Sequence, residues 1–251
     1  MKILKRIIPV LLLHNDLLYK TKKFTNPKYI GDPINAVKIF NEKGADEIII
    51  LDILASKQQK KINFDLLESI LSECFMPVCY GGGINDLSTA KKIFDIGVEK
   101  VSIKSALFNK NSHKLIRDIS NIYGSQSVVV CIDIKKNFFG KYYIVSNDLS
   151  KKYNIDIINF IKLLIESGAG EILIQFVDND GMMNGQDINY INKISKNISV
   201  PLISLGGIGS EDNIEKSFNF GANAVAAGSF FVFNGPHKAV LISYKNFLIE
   251  E

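Results

Sequence analysis

Residues 77–86 read PVCYGGGIND, and residues 201–210 answer with PLISLGGIGS. In each, a proline opens a short apolar run that ends in glycines followed by isoleucine, the pattern of a buried strand running into a tight loop. The two stretches lie 124 residues apart, and the same interval relates Gly82 to Gly206, Gly83 to Gly207, Gly97 to Gly221 and Ser105 to Ser229. Gly44-Ala45 and Gly168-Ala169 keep it, as do Glu47 and Glu171. An offset of about half the 251 residues, held at glycine, serine and acid alike, predicts two fused copies of one half-domain. The competing explanation is chance matching of apolar strands, but glycine matches are rarer than valine or isoleucine matches.

Outward from these stretches, strand-like runs recur near Ile7 to Leu13, Glu47 to Leu51, Pro77 to Tyr80, Lys100 to Ile103, Ser127 to Ile132, Glu171 to Val177, Pro201 to Leu205 and Ala224 to Ala227. Between them lie segments that mostly carry apolar residues at helical spacing: Pro33 to Lys43, Asp65 to Cys74, Leu87 to Asp95, Ser112 to Tyr123, Ile155 to Ser167, Ile188 to Lys196, Asn213 to Phe220 and Ala239 to Leu248. Continuous apolar strands separated by helices predict a parallel sheet buried on both faces. Eight such units, built as a doubled four, predict an α/β fold of the (β/α)8 TIM-barrel type with a two-fold internal half-barrel repeat. The expected layout is one domain over 1–251, with half-barrels about 1–124 and 125–251. A doubly wound open sheet is the alternative, but its Gly-x-Gly-x-x-Gly fingerprint is missing after the first strand. The longest irregular insertion, Asn137 to Lys152, reads as a hairpin or loop above the fifth strand.

The formal charge of +4, with lysines scattered along the chain, gives no case for nucleic acid or a membrane surface but suits a phosphorylated small molecule. Cys74, Cys79 and Cys131 are too few and too irregularly spaced for a disulfide framework or a zinc site. They read as reduced residues of a cytoplasmic protein. The opening MKILKRIIPVLLL imitates a signal peptide, but its apolar run contains Pro9 and leads into His14-Asn15-Asp16 rather than a small-residue cleavage site. No stretch approaches the roughly 20 apolar residues of a membrane span. His113 and His237 stand without cysteine, histidine or acid at ligand spacing, so neither metal nor cofactor is expected.

Backbone N–H groups at glycine turns and helix N-termini hold phosphate without needing a cation, and barrel ligands bind at the carboxyl ends of the strands. Gly82-Gly83 with Lys104-Ser105 would make one such cradle, and Gly206-Gly207 with Gly228-Ser229 a second. Two related cradles imply a long ligand with phosphate at both ends. The bland alternative is that these glycines only make tight turns.

A resemblance covers essentially the whole chain. It runs through Gly31-Asp32-Pro33, Leu51-Asp52-Ile53 with Ala55-Ser56, Gly81-Gly82-Gly83-Ile84, Val101-Ser102-Ile103, Gly124-Ser125-Gln126, Val128-Val129-Val130, Ile132-Asp133, residues 168–173 (GAGEIL) and Asp178-Asn179-Asp180-Gly181. On these residues the chain resembles the cyclase subunit of imidazole glycerol phosphate synthase. The resemblance implies a two-fold repeated barrel with two phosphate sites, receiving ammonia from a separate glutaminase. It also implies an acid/base pair of aspartates on the first and fifth strands. The fifth-strand member is present as Asp133. On the first strand the family's Cys-Leu-Asp-Val-Lys-Asp-Gly is replaced by residues 10–16, VLLLHND, so Leu12 stands at the aspartate position. Leucine moves no proton at any pH, and using Asp16 instead would break the register between strand and loop. Gln175-Phe176 replaces the family's Thr-Ser on strand six, and the Ser-Gly segment of the loop after strand five has no counterpart in residues 145–152.

The opposite end keeps the family pattern. Arg6, Glu47, Lys100 and Glu171 match its charged ring at the ammonia entrance, and Gln126 matches a residue of the glutaminase-facing surface. Such a ring could equally be a salt-bridged plug. Leu11-Leu12-Leu13 and Tyr29-Ile30-Gly31-Asp32 resemble a divergent branch called WbuZ, which is associated with glycosyl amidation. That resemblance implies a heterodimer with a glutaminase and an N-acetyl-sugar amidotransferase as further partner. Three readings follow: an ammonia-channelling subunit, a histidine-pathway cyclase with Asp133 as base, and a scaffold that activates the glutaminase when a phosphorylated ligand binds. Asp52 either orients a ligand hydroxyl or caps the next segment; Asp180 is expected to shape the second cradle and Gly181 to help hold its phosphate. His14, where the family has lysine, reads as a solvated loop residue or a ligand contact.

Overall fold

The computed structural model describes residues 5–56, 58, 60–146 and 148–245. Strand β1 (Arg6–His14) leads into a hairpin of β2 (Leu17–Lys22) and β3 (Thr25–Gly31), then α1 (Pro33–Glu42), β4 (Ile48–Asp52), α2 (Phe64–Leu71), β5 (Val78–Gly81), α3 (Leu87–Asp95) and β6 (Lys100–Ile103). After α4 (Ser112–Tyr123), β7 (Val128–Lys136) carries its own antiparallel β8 (Tyr142–Val145) and a short β9 (Lys152–Tyr153). The chain continues as α5 (Ile157–Glu166), β10 (Glu171–Phe176), α6 (Ile188–Ser195), β11 (Leu202–Leu205), α7 (Glu211–Asn219), β12 (Ala224–Ala227) and α8 (Ser229–Val232). The sequence β1-β4-β5-β6-β7-β10-β11-β12 is parallel throughout, and β12 returns to β1 with Arg6 beside Ala224, closing an eight-stranded barrel. The fold is the expected (β/α)8 barrel.

Strand alternation divides the core into two shells. Ile7, Leu11 and Leu13 of β1 face the helix layer, whereas Ile8, Val10 and Leu12 join Ile49, Cys79, Val129, Cys131, Leu173 and Ile203 inside the barrel. The inner shell is almost wholly apolar between one end and the other.

The 124-residue interval reaches further than the glycines. Helices α1 and α5 are capped by Asp32 and Asp156, α2 and α6 by Asn63 and Asp187, and α3 and α7 by Asp86 and Ser210, each side chain accepting from an N–H three residues on. Every cap keeps the interval. Such a cap contributes about 1 kcal/mol. Gly97 and Gly221 both sit at φ +102, a left-handed conformation that glycine adopts without steric cost.

The repeat fails at its end. A helix was expected over Ala239 to Leu248, of which residues 246–248 lie outside the described residues. Instead, Ala239–Val240 is strand β14, paired with β13 (Phe233–Asn234) across a turn containing Gly235 at φ +70 and Pro236. The segment beyond stays extended, with Leu241 N–H donating to the Val232 carbonyl and Ser243 N–H to that of Phe231. Tyr244 then pins it to the barrel by donating to the Ile7 carbonyl at 3.1 Å. Pairing to α8 and β-branched Val240 and Ile242 outweigh the helical spacing.

Candidate functional site

At the amino end of the barrel, four inward side chains form a closed ring. Arg6 donates to Glu47 and, at 2.8 Å, to Glu171; Lys100 lies 3.0 Å from Glu47 and 3.3 Å from Glu171. Each cation therefore touches both anions. Burial works against the Arg6 charge, but Glu171 and Glu47 outweigh it and hold the guanidinium above its usual range. The four predicted members are thus brought together. Gln126 lies exposed before β7 on the same side, its amide donating to the Tyr123 carbonyl.

Six residues along β1 from Arg6, about 20 Å at the rise of a strand, Leu12 closes the inner shell from the other side. It is 9% exposed. Two clefts open at this carboxyl end, and Leu12 and Gln175 line both, forming the partition between them.

The first cleft is lined by Asp52, Gly82, Gly83, Lys104 and Ser105, as the sequence predicts, together with Ser56 and Phe24. Gly82 sits at φ +130 with the Asp52 carbonyl 2.6 Å from where a Cβ would be, so no side chain fits there. Asp52 spends one oxygen on the N–H groups of Leu54 and Ala55, both at 2.9 Å, which settles it as a loop cap that also borders the cleft. The glycine turn is a structural device, and the same device leaves backbone exposed to a ligand.

Asp133 is 1% exposed and lines neither cleft. Lys104, which lines the first cleft, places its Nζ 3.0 Å from the Asp133 Oδ2. Burial opposes the Lys104 charge, but Asp133 more than restores it and raises the ammonium above its usual range. The acid that the resemblance assigns to the fifth strand is thus held in an ion pair with Lys104.

The second cleft gathers Asp180, Gly181, Gly206, Gly207, Gly228 and Ser229. Gly207 stands at φ +105 against the Asn179 side chain and the Gly185 backbone. Asp180 accepts from Thr21 Oγ at 2.9 Å and from Phe24 N–H at 3.3 Å, tying the β2–β3 hairpin over the cleft. Burial pushes its carboxyl above the usual carboxylate range. Asp178 points away, accepting from Lys136 N–H at 2.9 Å, so the two acids make no carboxylate pair.

The sequence reading missed Lys20. Its buried ammonium lies in the second cleft beside Gly228 and donates to the Val10 carbonyl, and among the described residues it makes no ion pair. Burial lowers its pKa to about 8, with Asp180 opposing. The available signal was parity: Lys20 shares its strand face with Leu18, which is also buried.

Asp16 does not replace the missing first-strand acid. It occupies the turn after β1 at φ +65, 3.8 Å from Lys60. His14 lies against Tyr19 with the rings tilted at 45°, and His113 bonds to Ser167 at 2.7 Å. Among the described residues no group of three histidines, cysteines or acids could hold a metal, and no helix is long and apolar enough to cross a membrane.

The arrangement sets two glycine-lined clefts at the carboxyl end of an apolar barrel interior, with the charged ring at the other end. On the first strand Leu12 stands where the resemblance puts the acid that would pair with Asp133.

Comparison with known proteins fits this geometry. The family described as "Histidine biosynthesis protein" matches residues 6–237. A provisionally named imidazole glycerol phosphate synthase subunit, hisF2 of Pseudomonas aeruginosa, is 48% identical over 241 residues, 96% of this chain and 95% of the relative. A provisionally named subunit hisF3 of Vibrio vulnificus is 48% identical over 244 residues, 95% of this chain and 92% of its own length. The imidazole glycerol phosphate synthase subunit HisF of Exiguobacterium sibiricum is 34% identical over 229 residues, 91% of each.

Proposed function

The chain belongs to the histidine biosynthesis protein family, and from that premise we propose that it is an ammonia-channelling subunit whose chemistry has been diverted from cyclisation. It pairs with a HisH-like glutaminase at the amino end of the barrel and passes ammonia through the apolar interior. The ammonia serves a sugar amidotransferase reaction, in which an acetamido sugar of a surface polysaccharide or flagellin glycan becomes an acetamidino sugar. This reading places the chain in the WbuZ branch, and the numbered designations of its Pseudomonas and Vibrio relatives accord with a divergent line.

One observation carries the proposal: Leu12 occupies the inward first-strand position while the Arg6-Glu47-Lys100-Glu171 ring at the other end is complete. Acid/base cyclisation needs a group that exchanges protons within hydrogen-bond reach of the substrate. Leu12 supplies none, and Asp133 is paired with Lys104. Transfer of ammonia needs only the entrance, the dry interior and an exit. Within this reading the glycine cradles hold a phosphorylated small molecule at the exit, with Gly206, Gly207, Gly228 and Ser229 forming the second site. Residues 1–124 and 125–251 are its two half-barrels within one domain.

A second reading, an active cyclase in histidine biosynthesis, draws on the survival of Asp133 and both cradles. The purified protein is assayed for turnover of the ribulosyl formimino nucleotide with excess ammonium salt, so that no glutaminase is needed, beside Leu12→Asp. No turnover by the unaltered chain, with some gained by Leu12→Asp, is the expected result. Turnover well above background by the unaltered chain restores the cyclase. Under the scaffold reading, Lys100→Ala and Glu171→Ala leave ammonia transfer unchanged, whereas channelling requires that they alter it.

A further inference from the structure

The hairpin that continues β7 past the site ends in two exposed aromatic rings set edge to face on each other. Phe138 is 98% exposed and Phe139 89% exposed, their centroids 5.7 Å apart. The turn that displays them is built, because Asn137 accepts from the N–H groups of Phe139 at 3.0 Å and Lys141 at 2.9 Å, and Gly140 takes φ +77. The strands beneath are in register, Ile134 against Ile144 and Lys136 against Tyr142. Two large apolar side chains are therefore presented to water by an ordered support. Scattered single apolar residues on a surface are ordinary, but an adjacent aromatic pair marks an interaction site.

Behind the hairpin runs a groove toward the starts of α5 and α6, floored by Tyr142 and Tyr190, whose rings lie 4.2 Å apart. Its two carboxylates are already committed. Asp156 caps α5 by accepting from Asn159 N–H at 2.8 Å. Asp187 caps α6, accepts from Tyr142 Oη at 3.0 Å and pairs with Lys136 at 2.7 Å. Two further lysines on the groove, Lys141 and Lys193, are exposed, with the Lys193 ammonium 5.8 Å over the Tyr190 ring centroid. Aromatic residues with a cationic rim are the composition of a protein-docking surface whose partner carries acids.

The location sets the kind of partner. Phe138 is five residues beyond Asp133, within about 16 Å of it along the strand, so the tip stands at the rim of the carboxyl mouth. Ammonia released there into water is protonated and lost unless its consumer covers the opening. We propose that Phe138, Phe139 and the Tyr142–Tyr190 groove form the docking surface for the ammonia-accepting enzyme, which meets them with an apolar socket rimmed by carboxylates. This inference rests on the channelling function proposed above and adds where the acceptor binds.

The test titrates the complex of this chain with its glutaminase against the purified sugar amidotransferase, comparing the unaltered chain with Phe138→Ser/Phe139→Ser and with Lys141→Glu/Lys193→Glu. The aromatic double variant is expected to weaken binding more than about tenfold, the loss typical of central interface aromatics. The charge-reversed variant is expected to slow association about tenfold at low salt and less at high salt. Both keep glutaminase binding at the far mouth. Tight binding by all three overturns the docking surface and leaves the channelling function standing. No binding by the unaltered complex overturns the channelling function and the inference with it. Two other occupants are checked with the same variants, by sedimentation of the chain alone and with vesicles of one part phosphatidylglycerol to one part phosphatidylcholine. Self-association or vesicle binding that the aromatic double variant abolishes, with amidotransferase binding unchanged, also overturns the inference.

Discussion

The two mouths of the barrel treat charge in opposite ways. At the amino end two cations and two anions neutralise one another in a ring in which every contact is made within the chain. At the carboxyl end Lys104 is matched to Asp133, but Lys20 sits buried in the second cleft with a carbonyl for partner and its pKa brought down to about 8. A self-neutralised set is complete before anything binds. A cation whose hydrogen-bond partner is a carbonyl is left to be completed by a ligand, which is the difference between a finished ring and a site.

The largest expected effect tests the ring. Glu47→Ala leaves Arg6 and Lys100 sharing one carboxylate, and loss of a partner from a buried ionic set costs about 3–5 kcal/mol. Urea unfolding measures it. A loss below about 1 kcal/mol would mean that solvent already satisfies these charges, and the contrast between the mouths would collapse.

The next effect concerns Lys20 and pH. Its folded pKa, about 8, lies below the 10.5 of a free lysine, so between those values the unfolded chain binds the extra proton. Stability then rises with pH across that window, by at most about 3 kcal/mol at 1.36 kcal/mol per unit. Lys20→Met should flatten the rise. Inorganic phosphate binding, followed by calorimetry, should weaken as pH climbs through 8 in the unaltered chain and lose that dependence in the variant.

Asp133→Asn should cost about 2 kcal/mol, the worth of a hydrogen bond to a charged group. Because Asp133 raises the Lys104 pKa, the ammonium's share of the pair's stabilisation is present from neutral pH up to 10.5 and fades as pH rises through the higher folded value. Thermal melts of both proteins should therefore differ by a constant amount around neutral pH and converge in strong base, and again in acid that protonates the carboxylate. The smallest effect belongs to Asp16→Asn, which should change stability by under about 0.5 kcal/mol. A larger change, or any change in phosphate affinity, would put that residue back into the site.

Most of this contrast was legible before any coordinates. The ring needed only strand parity and positions at strand starts, since residues of one parity share the barrel interior. The cradles were carried by glycines at a fixed interval. Three things were hidden. Lys20 looked like one of many solvated lysines because its burial depends on the β2–β3 hairpin folding inward. The pairing of Lys104 with Asp133 is a rotamer choice of the lysine, which sequence spacing does not specify. The last segment kept helical spacing while α8 and β13 offered it backbone partners, and tertiary pairing prevailed.

The capped helices have a consequence for how the protein is made. Asp32, Asn63 and Asp86 give the first half its own helix starts, and Asp156, Asp187 and Ser210 repeat them for the second. A ribosome adding about 5–20 residues per second completes the first half roughly 6 to 25 seconds before the second. During that interval the open edges of β1 and β6 await β12 and β7. A neighbouring nascent chain could supply matching strands, so crowded polysomes are where this barrel is most exposed to joining with the wrong molecule.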